Sequence, residues 1–122
     1  MKKKIIEYDE HIIQALNELT VPIIGKNGKK FFIKEKSARG ESGVQHIAKK
    51  SHRLKVRDIE SVKEILSHPK YEKIDDYNPT YKNYYGIRRG ENNKMFIKIV
   101  TYMDKSGKFE TIVTIYPVKH IS

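Results

Sequence analysis

Two histidines, His46 and His52, stand among cations in the stretch Ser42-Gly-Val-Gln-His46-Ile-Ala-Lys49-Lys50-Ser-His52-Arg53. Imidazole is the side chain suited to moving protons near neutrality, while neighbouring cations lower its pKa and stabilise charge building up on a phosphoryl group. Cleavage of an RNA backbone needs that set. A base takes the 2'-hydroxyl proton, an acid protonates the departing 5'-oxygen, a lysine or arginine neutralises the phosphoryl oxygens, and no metal is required. A single histidine on the polar face of a helix is ordinarily a surface residue; two histidines coinciding with two lysines make the chemical reading the sharper one.

The charge around this stretch points to the same class of partner. The chain carries 25 Lys and Arg against 15 Asp and Glu, a net +10 over 122 residues. Residues 23 to 57 hold eleven of those cations and only two acids, Glu35 and Glu41, so nearly all of the excess originates there. A surface built only for solubility intersperses both signs, whereas a one-signed region attracts phosphates and makes binding salt-sensitive. A groove that tracks a polyanion, with RNA as the leading partner, is the expectation. The absence of cysteine excludes a disulfide framework, a thiolate metal site and a cysteine nucleophile. Lys2, Lys3 and Lys4 precede Ile5 and Ile6, but Glu7, Asp9 and Glu10 interrupt any apolar run, so the expectation is cytoplasmic, or delivered into a target cell's cytoplasm, without a membrane partner.

The elements that must position these residues follow from periodicity. Ile5, Tyr8, Ile12, Leu16 and Leu19 recur at intervals of three and four, which predicts a helix over 5–19. Residues 21–24 and 31–33 flank Lys26-Asn27-Gly28 as a short hairpin. Ser42 followed by Gln45 is a capping-box pattern that starts a helix near 43, with Val44, Ile47 and Ala48 inward and His46, Lys49, Lys50 and Arg53 outward. A third helix is predicted over 58–67, ended by Pro69, and residues 70–80 read as a polar loop. From 81 onward the period becomes two, giving strands near 81–89, 94–103 and 108–117. One α+β domain over 1–122 is expected, with helices mainly in 5–67 packed on one face of a C-terminal antiparallel sheet mainly in 81–117. Parity places Lys98, Thr114, Tyr116, Tyr84 and Arg88 on the other, half-polar face.

The motif His46-Ile-Ala-Lys-Lys-Ser-His52, a helix closing in His68-Pro69 and strands ending in Val113-Thr114-Ile115-Tyr116-Pro117 resemble the phage-associated nucleases of the BECR superfamily, named for barnase, EndoU, colicin and RelE-like RNases. The resemblance spans about residues 40 to 118. It implies a metal-independent, cofactor-free endoribonuclease of barnase-like fold, acting on transfer RNA or other structured RNA and leaving a 2',3'-cyclic phosphate. As a toxin it would have an immunity or antitoxin protein as a second partner. Carried onto this chain, the resemblance makes His46 a proton-transfer residue, Lys49 or Lys50 a phosphate clamp and His52 the second proton-transfer candidate, although an unbroken helix would turn His52 aside. Thr114 and Tyr116 match the hydroxyl-bearing end strand, and Arg88 and Lys98 match in kind as sheet cations. No acid equivalent to the glutamate of barnase stands out, so the base falls to a histidine or an unusual lysine and the acid and base roles stay open.

Arg53 and Tyr84 complete the expected RNA-binding set with Lys50 and Lys98. Five tyrosines, Tyr71, Tyr77, Tyr81, Tyr84 and Tyr85, fall within fifteen residues and could stack unpaired bases, or simply pack. A noncatalytic RNA- or DNA-binding module using the same groove is the alternative from another class. A membrane-surface role comes third, since no basic amphipathic helix carries large apolar anchors.

Overall fold

The computed structural model describes residues 5–35, 40–88, 90 and 95–121. Asp9 opens the first helix, α1 (Glu10–Glu18), by accepting the backbone N–H groups of His11 and Ile12. The cap leaves Ile5 to Tyr8 outside the helix expected over 5–19. Tyr8 instead makes an antiparallel bridge with Lys49, flanked by Asp9 N–H to Ala48 C=O at 2.8 Å and Lys50 N–H to Glu7 C=O at 3.0 Å.

Next come β1 (Ile23–Ile24), a 3-10 turn at Lys26–Gly28 and β2 (Lys30–Ile33), the hairpin read from the sequence. Its turn places Asn27 at φ 60° and Gly28 at φ 75°, left-handed positions suited to asparagine and glycine. Helix α2 (Gly43–Ile47) and a 3-10 turn (Lys50–His52) lead to α3 (Val56–Glu60) and α4 (Val62–Ser67), which meet at Ser61 where one helix over 58–67 was expected. The strands β3 (Tyr71–Ile74), β4 (Tyr81–Ile87), β5 (Phe96–Met103) and β6 (Phe109–Val118) follow.

The result is an α+β fold on one six-stranded sheet of order β1-β2-β6-β5-β4-β3. The sheet is mixed rather than wholly antiparallel, because β2 lies parallel to the first half of β6, from Lys30 opposite Phe109 to Ile33 opposite Ile112. Parallel pairing between distant segments leaves no turn signal in the sequence. For a related reason β3 was hidden in an apparent loop: its Tyr-Glu-Lys-Ile run is short and polar and becomes a strand by pairing with β4.

One sheet face, carrying Tyr84, Ile97, Ile99, Ile112 and Ile115, packs with Ile12, Leu16, Ile47, Ile59, Val62 and Leu66 into a single core. Each fully buried aliphatic chain contributes about 1.5–3 kcal/mol. Gly86 lies where a side chain would run into Ile65, which lets α4 close on the sheet.

Register corrects the expected division of faces. Lys98 stands opposite Tyr85 and Tyr116, whereas Tyr84 stands opposite Ile99. Tyr84 therefore faces the core, with its hydroxyl donated to Glu110 at 2.8 Å, and is no platform for bases. Arg88 shares that inward parity. It is 6% exposed and bonded to the Asp58 carboxylate through Nε at 3.1 Å and Nη2 at 2.8 Å, so it is not a cation of the open face. Parity within a strand is legible from alternation, but which residues of two strands align depends on the turn between them. In β6 the alternation itself breaks. Val100 pairs with Thr114 and Thr101 with Ile112, so Val113 is an extra residue and Ile112 and Ile115 both point inward.

Among the described residues no helix is long and apolar enough to cross a membrane.

Candidate functional site

Strand β2 accompanies β6 only as far as Ile112, and α2 with its following turn lies against the second half of β6. The close approach of α2 depends on Gly43, where any side chain would collide with the Lys34 carbonyl, and on the Gly43 N–H to Glu35 C=O bond at 3.1 Å. The capping box read from the sequence starts the helix: Ser42 Oγ accepts from Gln45 N–H at 3.0 Å, and Gln45 Oε1 accepts from Ser42 N–H at 3.1 Å.

The helix stops at Ile47, and the chain tightens into the Lys50–His52 turn, ended by Arg53 in the left-handed region at φ 57°. This break decides the position of His52. A continuing helix would have rotated it away; the turn brings its ring edge-on to His46, 5.4 Å between centroids at 81°. His52 Nδ1–H donates to the Ile47 carbonyl at 3.1 Å, one of the acceptors that a helix end leaves over. His46 Nδ1–H donates to Glu41 Oε1 at 3.0 Å. Each ring is thus held through Nδ1, and among the described residues neither Nε2 has a hydrogen-bond partner.

Glu41 is the hub. Lys49 Nζ reaches the same Oε1 at 3.1 Å, and Tyr8 donates its hydroxyl to Oε2 at 2.8 Å. Burial works against a charged carboxylate there, but the hydrogen bonds from Tyr8, His46 and Lys49, with the Lys49 charge, outweigh it and hold the pKa at about 2. Near neutrality Glu41 is therefore an ionised acceptor that keeps the His46 proton on Nδ1. The Tyr8 phenol is correspondingly pushed up, first by its bond to Glu41. The His52 imidazole is pushed down, chiefly by burial and then by the charges of His46 and Lys49, against the opposing Ile47 carbonyl and Glu41. A neutral His52 with its proton on Nδ1 presents a lone pair on Nε2.

Both rings line a cleft of about 590 Å³ with Arg53, Thr114, Tyr116 and Lys119. Thr114 Oγ1 is buried, with no hydrogen-bond partner among the described residues, and the Tyr116 ring centre lies 6.3 Å from that of His52. Buried hydroxyls are normally hydrogen-bonded, so an unpartnered one in the wall of a polar cleft marks a donor that a bound ligand would satisfy.

His46, His52, Arg53, Thr114 and Tyr116 therefore share one cleft, with Lys49 tied to it through Glu41. Lys98 lies on the adjoining sheet face, its ammonium 5.9 Å from the centre of the buried Tyr85 ring and 5.4 Å from that of Tyr116. Burial opposes the Lys98 charge, yet the Tyr116 hydroxyl leads a set of contacts that leave its pKa raised. Lys50 points elsewhere, toward Glu7 at 3.5 Å. Arg88 stays behind the cleft wall: its Nη2 donates to the Arg53 carbonyl at 3.0 Å, so it positions Arg53 without entering the cavity.

The structure also adds residues that sequence patterns did not single out. Glu41 precedes the helix by two residues and so falls outside any periodicity, and Tyr8 arrives from 33 positions away through its bridge to Lys49. Lys119, just beyond the end of β6, lines the cleft as well. Of the basic cluster, Lys36 and Arg39 lie outside the described residues. Among the described residues no three His, Asp or Glu side chains gather to hold a metal ion. No family model, curated protein or solved structure matches the chain.

Proposed function

We propose that this chain is a metal-independent endoribonuclease of barnase-like type that cleaves by internal attack of a ribose 2'-hydroxyl. The observation that carries the proposal is the pair of imidazoles, each anchored through Nδ1, lining one cleft with Thr114, whose buried hydroxyl has no partner among the described residues. His52 Nε2 removes the 2'-hydroxyl proton, and O2' bonds to phosphorus. The P–O5' bond then breaks, and the leaving oxygen takes a proton from Nε2 of His46, whose ring is held in place by its Nδ1–H bond to Glu41. The products are a 2',3'-cyclic phosphate and a 5'-hydroxyl, and the proton received by His52 balances the one lost by His46. Arg53 and Lys119 supply positive charge, and the Thr114 hydroxyl can donate to a phosphoryl oxygen. Glu41 takes the place that the resemblance to BECR nucleases left empty, as an orienting carboxylate rather than as the base.

The test is incubation of the purified protein with structured RNA, including transfer RNA, in the presence of a metal chelator, with analysis of the ends. Fragments ending in a cyclic phosphate, lost in His46→Ala and His52→Ala variants that keep their fold, are expected. Salt-sensitive RNA binding without any backbone cleavage would instead make the protein a noncatalytic binding module. Cleavage unchanged by both substitutions would remove the histidine pair from the reaction.

A further inference from the structure

A second concavity, of about 970 Å³, opens where β2 meets the first half of β6. On the sheet face that carries Lys98 and Tyr116, Phe32 stands in register with Thr111, and Thr111 with Tyr102. In the next row Lys30 stands opposite Phe109. The Phe32 and Phe109 rings meet edge-to-face, 5.1 Å between centroids, and both stay partly exposed. Three lysines, Lys30, Lys34 and Lys108, rim the concavity, and none makes an ion pair among the described residues. Its lining holds one carboxylate, the exposed Glu35.

Aromatic rings left half-open inside a ring of uncompensated ammonium groups combine the two features that hold single-stranded nucleic acid: surfaces for base stacking and charges for the backbone. An acidic peptide would meet the lysines but has no need of the exposed rings. The register also joins this concavity to the histidine cleft, since Thr111 and Thr114 lie on the same strand, roughly 10 Å apart along β6. We infer that this groove is a subsite for the single-stranded RNA flanking the scissile phosphate, with Phe32 and Phe109 stacking a base and Lys30, Lys34 and Lys108 holding phosphates several nucleotides from the point of cleavage. It deepens the ribonuclease reading, on which it rests for the identity of the strand.

The experiment measures binding of fluorescent 2'-O-methyl RNA, which cannot be cleaved, as a dinucleotide and as an octanucleotide. The proteins compared are the full chain, the double variant Lys30→Ala/Lys108→Ala and Phe32→Leu, each checked by thermal melting. The double variant should bind the octanucleotide at least tenfold more weakly with the dinucleotide unchanged, and its log K against log salt slope should fall by roughly 1.4, two contacts at about 0.7 each. Phe32→Leu should lose about fivefold on the octanucleotide with the salt slope retained. Unchanged octanucleotide affinity in the double variant, an equal loss for both lengths, or no octanucleotide binding by the unaltered chain overturns the inference. The two readings separate cleanly. Groove-dependent binding with no cleavage of unmodified RNA leaves the subsite standing and removes the ribonuclease, whereas His46-dependent cleavage with no length effect does the reverse.

Discussion

Two carboxylates in this molecule have nearly the same set of partners and opposite fates. Glu110, in β6, accepts from the Tyr84 hydroxyl at 2.8 Å and the Thr101 hydroxyl at 2.6 Å, and pairs with Lys29 at 2.6 Å. Glu41, before α2, accepts from the Tyr8 hydroxyl, from Lys49 and from His46. Each has one phenol, one ammonium and one further donor. For Glu110 the further donor is a threonine hydroxyl and the carboxylate is 1% exposed, so apart from the Lys29 ammonium, which reaches it from the surface, its partners lie inside the core. For Glu41 it is an imidazole, which has a second nitrogen to offer on the side of the cleft. On the proposed ribonuclease activity, that second nitrogen would let the Glu41 network pass a proton onward, which the threonine of the Glu110 network does not. In both, burial opposes ionisation and the surrounding donors prevail, leaving each pKa below its ordinary value.

The histidines are where the two networks differ most. If cleavage uses them, His46→Ala and His52→Ala should each lower the rate on RNA by about 10²–10⁴-fold, the range for loss of a general acid or base, with melting temperature nearly unchanged. A rate within a few-fold of the unaltered protein would make the Glu41 network as structural as its counterpart. Next in size, Glu110→Ala should destabilise the fold by about 3 kcal/mol, because it orphans two buried hydroxyls and an ammonium, while any residual cleavage by the folded fraction keeps its pH profile. Urea denaturation at pH 7 measures it.

Glu41→Gln should cost roughly tenfold in rate, since an amide can still accept from Nδ1–H but gives up the charge-assisted hold on His46 and Lys49 that positions the ring. Single-turnover kinetics against pH would show whether the loss resides in the acid. The smallest effect is a matter of pH. A depressed His52 pKa places the acid-side fall of activity below pH 6.5, because the base works when neutral and is lost only as pH drops through the folded value. For Glu41 the sign is that of a carboxylate: its stabilising contribution is complete above the unfolded value of 4.5 and disappears as pH falls toward about 2. Acid unfolding monitored in that window should flatten in Glu41→Gln.

Much of the site was legible in the chain, and the parts that were not share a cause. His46, Lys49 and His52 announced themselves by type and proximity, and the Ser42-Gln45 capping box located the helix that carries His46. Local hydrogen bonding decides such features, so a local pattern reveals them. Alternation alone puts Arg88 and Tyr84 on the wrong face because the β4–β5 register, which sets Tyr85 rather than Tyr84 beside Lys98, depends on the connection between those strands. Glu41 had only its charge to mark it, on a stretch without periodicity.

By itself, then, the sequence determined that the chain is basic, that its excess charge lies in residues 23 to 57, that helical segments precede most of the strands, and that two imidazoles fall close together among cations. Composition and short-range periodicity carry that information because propensity and burial act residue by residue. Only the tertiary structure decided that α2 ends in time to turn His52 back on His46, that Tyr8 and Glu41 complete the anchor, and that Arg88 is spent on Asp58 behind the wall. Those outcomes depend on which distant segments meet and in what register, and contacts between segments far apart in the chain are fixed by the packing of the whole sheet.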